Sequence, residues 1–517
     1  MADAKSMDVL LQEALHFDAA NDLDGLRRHA EADGWNADAI AYIVYQLLIT
    51  RRLHAAFALS NASTVAGIFQ PILSLAQALG GLVTGSVETE VRCSWTLAAI
   101  VDGLDSAKRA MLYQHVMQPV FFKLIEAAYA GGGTPVIMRI LELMKAGVPI
   151  LRTMFDGAAR LPTLDPAALA EQGRARQKLL SQTLPPAGMP RTPRRLVFAV
   201  RKYIFPGQAN SKIFDLGERM QAAARLYGWS CELVYLGFQN LAEDLVAVSQ
   251  KCAETQPDVL ILDDGPIQWE ANLAVRASLL QHLKANHPAL KIVGLHMDSW
   301  EIRPDILIRS MDGLDAVWAT TPSLPVWRDP VFEGRIVQLP LVHGGMERAP
   351  TKPLTGRATF IGAVKGYNWH RVLWKAATEQ EQLPVDWQMS ALTEDGLAPI
   401  ASYAHYMQRL ADSTAVVNFS MRPDLSLVIT DRTFETPLAG ALLVQEHSPD
   451  VDYFFTAGEH YLEFGSLAEL RAIGDFLRDR PQEAEAIRRR GADFARARYA
   501  DDKLLGTLDQ VLYRYSG

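Results

Sequence analysis

Residues 257–296 read PDVLILDDGPIQWEANLAVRASLLQHLKANHPALKIVGLH. Two apolar runs, 259–262 (VLIL) and 291–296 (KIVGLH), lie on either side of a helical pattern at 271–286. Continuous apolar runs of this kind are typical of strands that are buried on both faces. A strand, a helix and a second strand in this order predict parallel pairing. The segment therefore predicts a parallel sheet covered by helices.

The same alternation of strands and helices extends outward from this segment. The predicted strands of the first half are 196–200, 230–236, 259–262, 291–296, 315–319 and 335–341. Those of the second half are 357–361, 385–389, 415–419 and 441–445, before a mostly helical end at 467–515. We predict two doubly wound, Rossmann-like α/β domains in tandem, over 194–350 and 351–517. Ligands of such sheets bind outside the carboxyl ends of the strands, here between the two domains.

The first 160 residues have a different pattern. Apolar residues recur at helical spacing in 7–20, 22–32 and 37–53, with no alternating β-branched run. We predict an all-helical N-terminal domain over 1–160. Residues 161–193 have prolines near both ends and a polar helical middle, and are predicted to be a linker.

Composition limits the class of protein. A chain of 517 residues exceeds the usual size of a single core. The 51 Lys and Arg against 59 Asp and Glu give a net charge of −8, which disfavours nucleic-acid binding. Cys93, Cys231 and Cys252 form no CxxC pair, so neither a disulfide framework nor a zinc knuckle is predicted.

The N-terminus is acidic and lacks the features of a secretory signal. An uncharged stretch at 66–85 contains Gln, Pro and a Gly pair, and is predicted to be buried or amphipathic rather than membrane-spanning. We therefore expect a cytoplasmic protein that does not associate with membranes.

The most specific segment is 418–450, NFSMRPDLSLVITDRTFETPLAGALLVQEHSPD. It places Glu435 on the first turn of a short helix, where a carboxylate can accept hydrogen bonds from two vicinal hydroxyls of a ribose. The helix N-terminus and Arg432 are suited to a phosphate. The alternative is that Glu435 only pairs with Arg432 on a surface helix.

The pattern R-x-F-E-x-x-x-A-G-x-x-x-V at 432–444 is followed by HSP at 447–449 and by YFFTAGE at 453–459. This order resembles the C-terminal domain of GT-B glycosyltransferases, in the group-1-like branch that includes spore-maturation-type proteins. The resemblance implies that Glu435 binds the ribose of a nucleotide-sugar donor. It also implies that the backbone near Arg432 and Thr433 approaches the diphosphate.

The resemblance further implies that Gly362 belongs to a phosphate-facing loop. Lys365 or Arg371 would then neutralise the leaving diphosphate, unless both are solvated surface cations. Two positions depart from the family pattern: Ala363 stands where many members have Arg, and Leu427 stands where an acid precedes Glu435 by eight residues.

Polar residues also follow two predicted strands of the first α/β domain. Asp263 and Asp264 follow the third strand, and His296 and Asp298 follow the fourth. A base at this edge would take the proton of an acceptor hydroxyl, so His296, Asp298 and Asp264 are the catalytic candidates. The alternatives are a core histidine and a strand-terminal turn, and His343 is a further candidate at the domain junction.

No cofactor and no metal is expected, since GT-B enzymes commonly activate the diphosphate with helix dipoles and cations. Asp450 and Asp452 form an acid pair on a loop and are predicted to be solvated. The run Arg488 to Arg490 is predicted to be a solvated helix face.

The sequence thus predicts a glycosyltransferase that moves a hexosyl or related sugar from a nucleotide-sugar to an acceptor hydroxyl. The helical domain is predicted to recruit a protein partner, such as the acceptor, or else to complete the fold or form a dimer. Two other readings stay open. One is a non-catalytic GT-B-like binding protein, and the other is a sugar-nucleotide epimerase or hydrolase on the same scaffold.

Overall fold

A computed structural model describes most of the chain. The described residues are 7–35, 39–40, 43–44, 46–47, 52–60, 134–147, 149–156, 164–180, 191–201, 216–237, 241–263, 270–297, 302, 304–363, 369–390, 402–422 and 427–513. The chain forms two compact units. The smaller comprises 1–158, 364–382 and 422–426, and the larger comprises 159–363, 383–421 and 427–517.

Every described element of the smaller unit is a helix, as the sequence predicts for the N-terminal region. Asp22 caps the second helix, with its Oδ1 accepting from the Gly25 amide at 2.8 Å. The uncharged stretch at 66–85, predicted to be buried or amphipathic, lies outside the described residues. The helices are α1 (Met7–Ala19), α2 (Leu23–Ala32), α3 (Leu53–Ser60), α4 (Thr134–Gly147), α5 (Pro149–Phe155) and, later in the chain, α11 (Trp369–Gln380).

Helix α11 packs against the N-terminal helices, although it falls within the predicted span of the C-terminal domain. Its Trp374 ring lies 4.8 Å from that of Phe155 on α5. Thr134 Oγ1, at the start of α4, donates to Glu379 Oε2 at 2.9 Å. None of the described helices combines the length and apolar character that a membrane crossing requires.

The larger unit contains two parallel sheets. The first has the order β2-β1-β3-β4-β5-β6, so the chain reverses its direction of winding between β1 and β3. Its strands are β1 (Arg195–Arg201), β2 (Ser230–Leu236), β3 (Val259–Asp263), β4 (Lys291–His296), β5 (Ala316–Ala319) and β6 (Ile336–Gln338). Its helices are α7 (Leu216–Tyr227), α8 (Leu241–Thr255), α9 (Glu270–Asn286) and α10 (Pro304–Ser310).

The second sheet has the order β11-β10-β9-β7-β8, with its switch point between β7 and β9. Its strands are β7 (Ala358–Ala363), β8 (Val385–Ser390), β9 (Ala415–Asn418), β10 (Leu442–Glu446) and β11 (Leu462–Phe464). The remaining helices are α12 (Tyr403–Ser413), α13 (Arg432–Leu438), α14 (Leu467–Asp479), α15 (Pro481–Tyr499) and α16 (Asp501–Leu512). The predicted fold class, two doubly wound α/β domains in tandem, is confirmed.

The last helix, α16, returns to the first α/β domain and packs on α7. Arg194 Nε, just before β1, donates to Asp509 Oδ1 at 2.6 Å, and the Tyr227 hydroxyl donates to Asp509 Oδ2 at 3.4 Å. Because α16 follows the second sheet in sequence, these contacts join the two α/β domains.

A further helix, α6 (Pro166–Arg176), lies in the predicted linker and packs on the second α/β domain. Arg176 Nη2 donates to Glu463 Oε1 at 2.7 Å. Gly458 has φ +73°, and a Cβ there would lie 2.5 Å from the carbonyl oxygen of Pro166. The glycine of the YFFTAGE motif is therefore required by the close approach of α6.

The prediction of a solvated face over Arg488 to Arg490 is wrong for Arg488, which is 1% exposed. Its Nε donates to the Gly440 carbonyl at 2.7 Å and its Nη1 donates to the Lys352 carbonyl at 2.5 Å. Arg489 is exposed and pairs with Glu485. Three consecutive helical residues span about 200° of a helix, so one of them faces the core.

The prediction that Asp450 and Asp452 are solvated is also wrong, because both are buried. Asp450 Oδ1 accepts from the Ser323 amide at 2.8 Å, and Oδ2 accepts from the Ile429 amide at 3.1 Å. Burial raises the pKa of Asp450. The carboxylate is buried because two loops, one from each α/β domain, leave amides that need an acceptor.

The substitution Arg488→Ala is predicted to lower the free energy of unfolding by about 2–4 kcal/mol, since two buried carbonyls lose their donor. Arg489→Ala is the matched control, with an expected change within about 0.5 kcal/mol. Urea denaturation of both variants and the wild type measures the difference. Equal losses in the two variants would contradict the buried role of Arg488.

Candidate functional site

Glu435 lies in the first turn of α13, as predicted, and is 4% exposed. Its Oε1 accepts from the Tyr403 hydroxyl at 3.0 Å, and its Oε2 accepts from the Tyr406 hydroxyl at 2.9 Å. Arg219 Nη1, from α7 of the first α/β domain, lies 3.8 Å from Oε1. The alternative of a surface pair between Glu435 and Arg432 is therefore wrong.

The two tyrosines remain hydrogen-bond donors. Burial, followed by the charge of Glu435, raises the pKa of Tyr403 well above its usual value. Burial also raises the pKa of Tyr406. Both hydroxyls therefore keep their protons at neutral pH and hold the carboxylate in one orientation.

An aromatic cluster fixes α13 below this carboxylate. The Phe434 ring lies 4.9 Å from the Phe454 ring and 5.3 Å from the Tyr499 ring, in edge-to-face geometry. The Tyr499 hydroxyl donates to the Phe454 carbonyl at 2.9 Å. The phenylalanine of the F-E pair and an aromatic of the YFF run thus form one packing unit that positions Glu435.

Arg432 and Gly362 meet at the switch point of the second sheet. Arg432 Nε donates to the Tyr406 hydroxyl at 3.2 Å, and its Nη1 donates to Asn418 Oδ1 at 3.4 Å. A Cβ on Gly362, near the end of β7, would lie 3.0 Å from Arg432 Nη2. The structure therefore brings together three of the predicted donor-binding residues, Glu435, Arg432 and Gly362.

Thr433 belongs to a buried network that connects α13 to the carboxyl ends of β9 and β10. Its Oγ1 donates to Gln445 Oε1 at 3.0 Å, and Asn418 Nδ2 donates to the same oxygen at 2.7 Å. The Thr433 amide donates to the Thr430 carbonyl at 3.0 Å. Thr433 thus positions the helix, and its predicted approach to a diphosphate stays a prediction.

Glu446 closes the same network at the end of β10. Its Oε2 accepts from the Ser420 amide at 2.6 Å and from the Met421 amide at 2.8 Å. The sequence analysis missed Glu446 and Gln445. The feature that could have identified them is the position of two polar residues at the end of the otherwise apolar strand ALLVQE.

His343 extends the cluster toward the junction of the two α/β domains. Its Nδ1 lies 3.1 Å from the Tyr403 hydroxyl. Since that hydroxyl donates to Glu435, Nδ1 must carry the proton and donate to it. Burial, together with the charge of Arg219, lowers the pKa of His343 to about 3. His343 is therefore neutral near pH 7.

Arg219 completes the cluster. Its guanidinium lies 4.4 Å from the centroid of the Tyr403 ring. Its Nε and Nη1 have no hydrogen-bond partner within the described part of the chain. Tyr403 and Tyr406 are three apart on an amphipathic helix, a pattern typical of core residues, so no sequence pattern indicated this cluster.

In the first α/β domain, His296 ends β4 and is 1% exposed, with its ring 6.3 Å from that of Trp327. Asp263 ends the neighbouring β3, and its Oδ2 accepts from Arg201 Nε at 2.7 Å. Asp264 and Asp298 lie outside the described residues. The catalytic roles given to His296 and to these two acids stay predictions.

Two further cations, Arg371 and Lys365, were predicted to lie at the diphosphate. Arg371 lies on α11 of the smaller unit and is 7% exposed. Lys365 lies outside the described residues. Their roles at a diphosphate stay predictions.

Residues 358–507 match the model of a family described as "Glycosyl transferase-like". The match spans the second sheet, Glu435 with Tyr403 and Tyr406, and the helices as far as the first half of α16. This match falls on the second α/β domain, and the resemblance drawn from its motif is confirmed. No curated protein sequence matches the chain.

Several solved structures resemble the chain. HepE of Anabaena, in complex with UDP and glucose, is 11% identical and aligns over 62% of this chain and 99% of its own, with a TM-score of 0.42. Sucrose-phosphate synthase of Thermosynechococcus elongatus is 11% identical, with 62% and 98% coverage and a TM-score of 0.39. With TM-scores below 0.5, these likenesses carry no conclusion about activity.

Asp501 gives this region a pH dependence. Its two carboxylate oxygens accept from the amides of His343 and Gly345, each at 2.6 Å, and burial raises its pKa from 3.8 to about 6. The folded protein thus holds this proton more tightly than the unfolded chain does. The stabilisation is complete below pH 3.8 and is lost as the pH rises through about 6.

The substitution Asp501→Asn is predicted to remove this dependence. Between pH 4 and pH 7, the free energy of unfolding of the wild type should fall relative to that of the variant, on the order of 3 kcal/mol. Urea denaturation of both proteins at several pH values measures the difference. Two curves that stay parallel over this range would contradict the raised pKa.

Proposed function

We propose that this protein is a glycosyltransferase that moves a sugar from a nucleotide-sugar donor to an acceptor hydroxyl. The observation that carries the proposal is the coincidence of two features. The family match covers residues 358–507. Within that span, Gly362 and Arg432 meet at the switch point between β7 and β9, where doubly wound sheets bind their ligands.

Arg432 is the residue proposed to face the diphosphate. Its guanidinium is fixed by Tyr406 and Asn418 and retains donors beyond these two bonds. A cation held in place can offset the charge that develops on a leaving nucleoside diphosphate. Gly362 leaves room there, since it has no side chain.

Glu435 is proposed to orient the nucleoside. Each of its oxygens accepts one tyrosine hydroxyl and has a second lone pair, so a ribose hydroxyl can share the carboxylate. Tyr403 and Tyr406 then act as positioning residues. Their hydroxyls fix the orientation of the Glu435 carboxylate that would bind the ribose.

The proposed reaction forms a bond between the acceptor oxygen and the anomeric carbon of the sugar. The bond from that carbon to the diphosphate oxygen breaks, and the nucleoside diphosphate leaves with the electron pair. A base takes the acceptor proton, and His296 at the end of β4 is the described candidate. The sugar, the acceptor and a protein recruited by the helical region stay predictions from the sequence.

One observation favours a second candidate, a binding protein without transfer activity. Glu435 is 4% exposed, and both of its oxygens already accept hydrogen bonds. A carboxylate enclosed in this way serves the fold even if no ribose reaches it.

The test is thermal unfolding of the full chain with a panel of nucleoside diphosphates and nucleotide-sugars. One nucleotide family is predicted to raise the Tm. A ligand that binds only the folded protein, at a concentration of 100 Kd, raises the free energy of unfolding by about 2.7 kcal/mol. Arg432→Ala should weaken that binding about tenfold or more, through loss of a charge-assisted contact. Arg489→Ala, an exposed arginine of α15, is the matched control and should bind like the wild type.

Release of nucleoside diphosphate from the stabilising nucleotide-sugar separates the two candidates. Slow release with water as acceptor, reduced in Arg432→Ala, is the result expected of a transferase. Binding without any release would support the binding protein. The proposed donor site would be contradicted if no nucleotide binds the protein, or if Arg432→Ala binds the nucleotide as tightly as the wild type does.

A further inference from the structure

Three side chains of different type converge between the first two helices of the smaller unit. His29 Nε2 lies 3.1 Å from Glu13 Oε2 and 3.5 Å from Asp33 Oδ2. The three ligand atoms lie within 4.8 Å of one another. Glu13 lies on α1, His29 lies on α2, and Asp33 is the C-cap residue that follows α2. We propose that this cluster binds a divalent cation of the zinc class.

The proton inventory of the cluster is compatible with a bound cation. A histidine Nε2 carries at most one hydrogen, whether the ring is neutral or protonated. One hydrogen on Nε2 cannot donate well to two carboxylate oxygens on different residues. A divalent cation in place of that proton is shared by the nitrogen and both oxygens. It also removes the repulsion between two carboxylates that face one nitrogen.

The spacing also suits a metal. Zinc–nitrogen and zinc–oxygen bonds of about 2.0–2.2 Å in tetrahedral geometry place neighbouring ligand atoms roughly 3.3–3.6 Å apart. The distances from His29 Nε2 to the two carboxylates, 3.1 and 3.5 Å, are close to this edge length. One imidazole with two carboxylates is a borderline donor set, which favours zinc-class cations over Mg²⁺ or Ca²⁺.

Packing holds the histidine ligand in place without a cation. The His29 ring lies 5.2 Å from the Phe17 ring and 6.0 Å from the Trp35 ring. The Asp22 cap fixes the start of α2, which sets the rotation of the helix that carries His29. A site with this support needs little rearrangement to bind an ion.

A cavity of about 510 Å³ gives access to the cluster. Glu13 and His29 both line it, together with Asp8, Gln12 and His16. The cation would therefore keep a coordination position that faces the cavity, filled by water or by one of these side chains. Asp8 and Glu13 place two carboxylates at a lining that otherwise includes the apolar Val9 and Phe17, and these carboxylates attract cations.

The test uses the full chain and Co²⁺, whose visible absorption reports tetrahedral coordination, with Zn²⁺ as the competitor. The wild type is predicted to bind one equivalent and to release it to Zn²⁺. Glu13→Gln and Asp33→Asn keep the side-chain shapes, and each should weaken binding about tenfold or more. His54→Ala, an exposed histidine of α3, is the matched control and should bind like the wild type.

Cysteine thiols are the main other groups that could bind Co²⁺, and the experiment excludes their contribution. Burial raises the pKa of Cys231 to about 12 and that of Cys252 to about 11, so both are protonated near pH 7. Cys93→Ser in every protein removes the third thiol.

The proposal is overturned if the wild type shows no saturable Co²⁺ binding, or if Glu13→Gln binds equally well. It is also overturned if Glu13→Gln lowers the Tm while Zn²⁺ leaves the wild-type Tm unchanged, because the cluster is then only an ion pair. Circular dichroism confirms that both variants are folded. Nucleotide binding is expected to be unchanged in these variants, so the outcome is independent of the proposed donor site.

Discussion

A buried carboxylate, Glu435, imposes the strictest constraint on the larger unit. An ionised side chain that is 4% exposed is costly unless its oxygens are hydrogen-bonded. Two tyrosine hydroxyls meet this need from α12, and a guanidinium approaches from α7 of the other α/β domain. The charge of Glu435 can therefore be buried only when elements of both domains are in place. Removing one partner would leave the others as uncompensated polar groups.

The same principle appears at the other contacts between the two α/β domains. Asp450 accepts a hydrogen bond from one backbone amide in a loop of each domain. Asp501 accepts hydrogen bonds from two backbone amides in the segment 343–345, where the two domains join. Asp509 on α16 holds Arg194 beside β1. Each is a buried acid that bridges segments far apart in sequence. Together they join the two α/β domains at several points, one of which, Asp450, follows the carboxyl end of β10.

The strands were predictable because burial on both faces demands continuous apolar runs. The predicted strands 230–236 and 291–296 have the same bounds in the structure. Strand β11 was missed because three residues give no periodicity. Helix α10 was missed because it is only seven residues long, begins at a proline and gives little periodicity.

The candidate site was predictable only in part. Glu435 and Arg432 belong to one local motif, so the sequence alone identifies them as candidate site residues. Tyr403, Tyr406 and Arg219 come from distant helices, and each has the pattern of an ordinary amphipathic residue. Arg488 and Asp450 were assigned to solvent because charged residues usually lie there. Burial of a charge depends on acceptors and donors that only the tertiary fold supplies.

The most direct test of this account is a crystal structure of the full chain with the nucleoside diphosphate that stabilises it most. The account predicts density for the diphosphate beside Arg432 and Gly362, at the switch point of β7 and β9. The Tyr403 and Tyr406 hydroxyls should still donate to Glu435, with the ribose sharing its oxygens. A nucleotide bound away from the carboxyl edge of the second sheet would contradict the account.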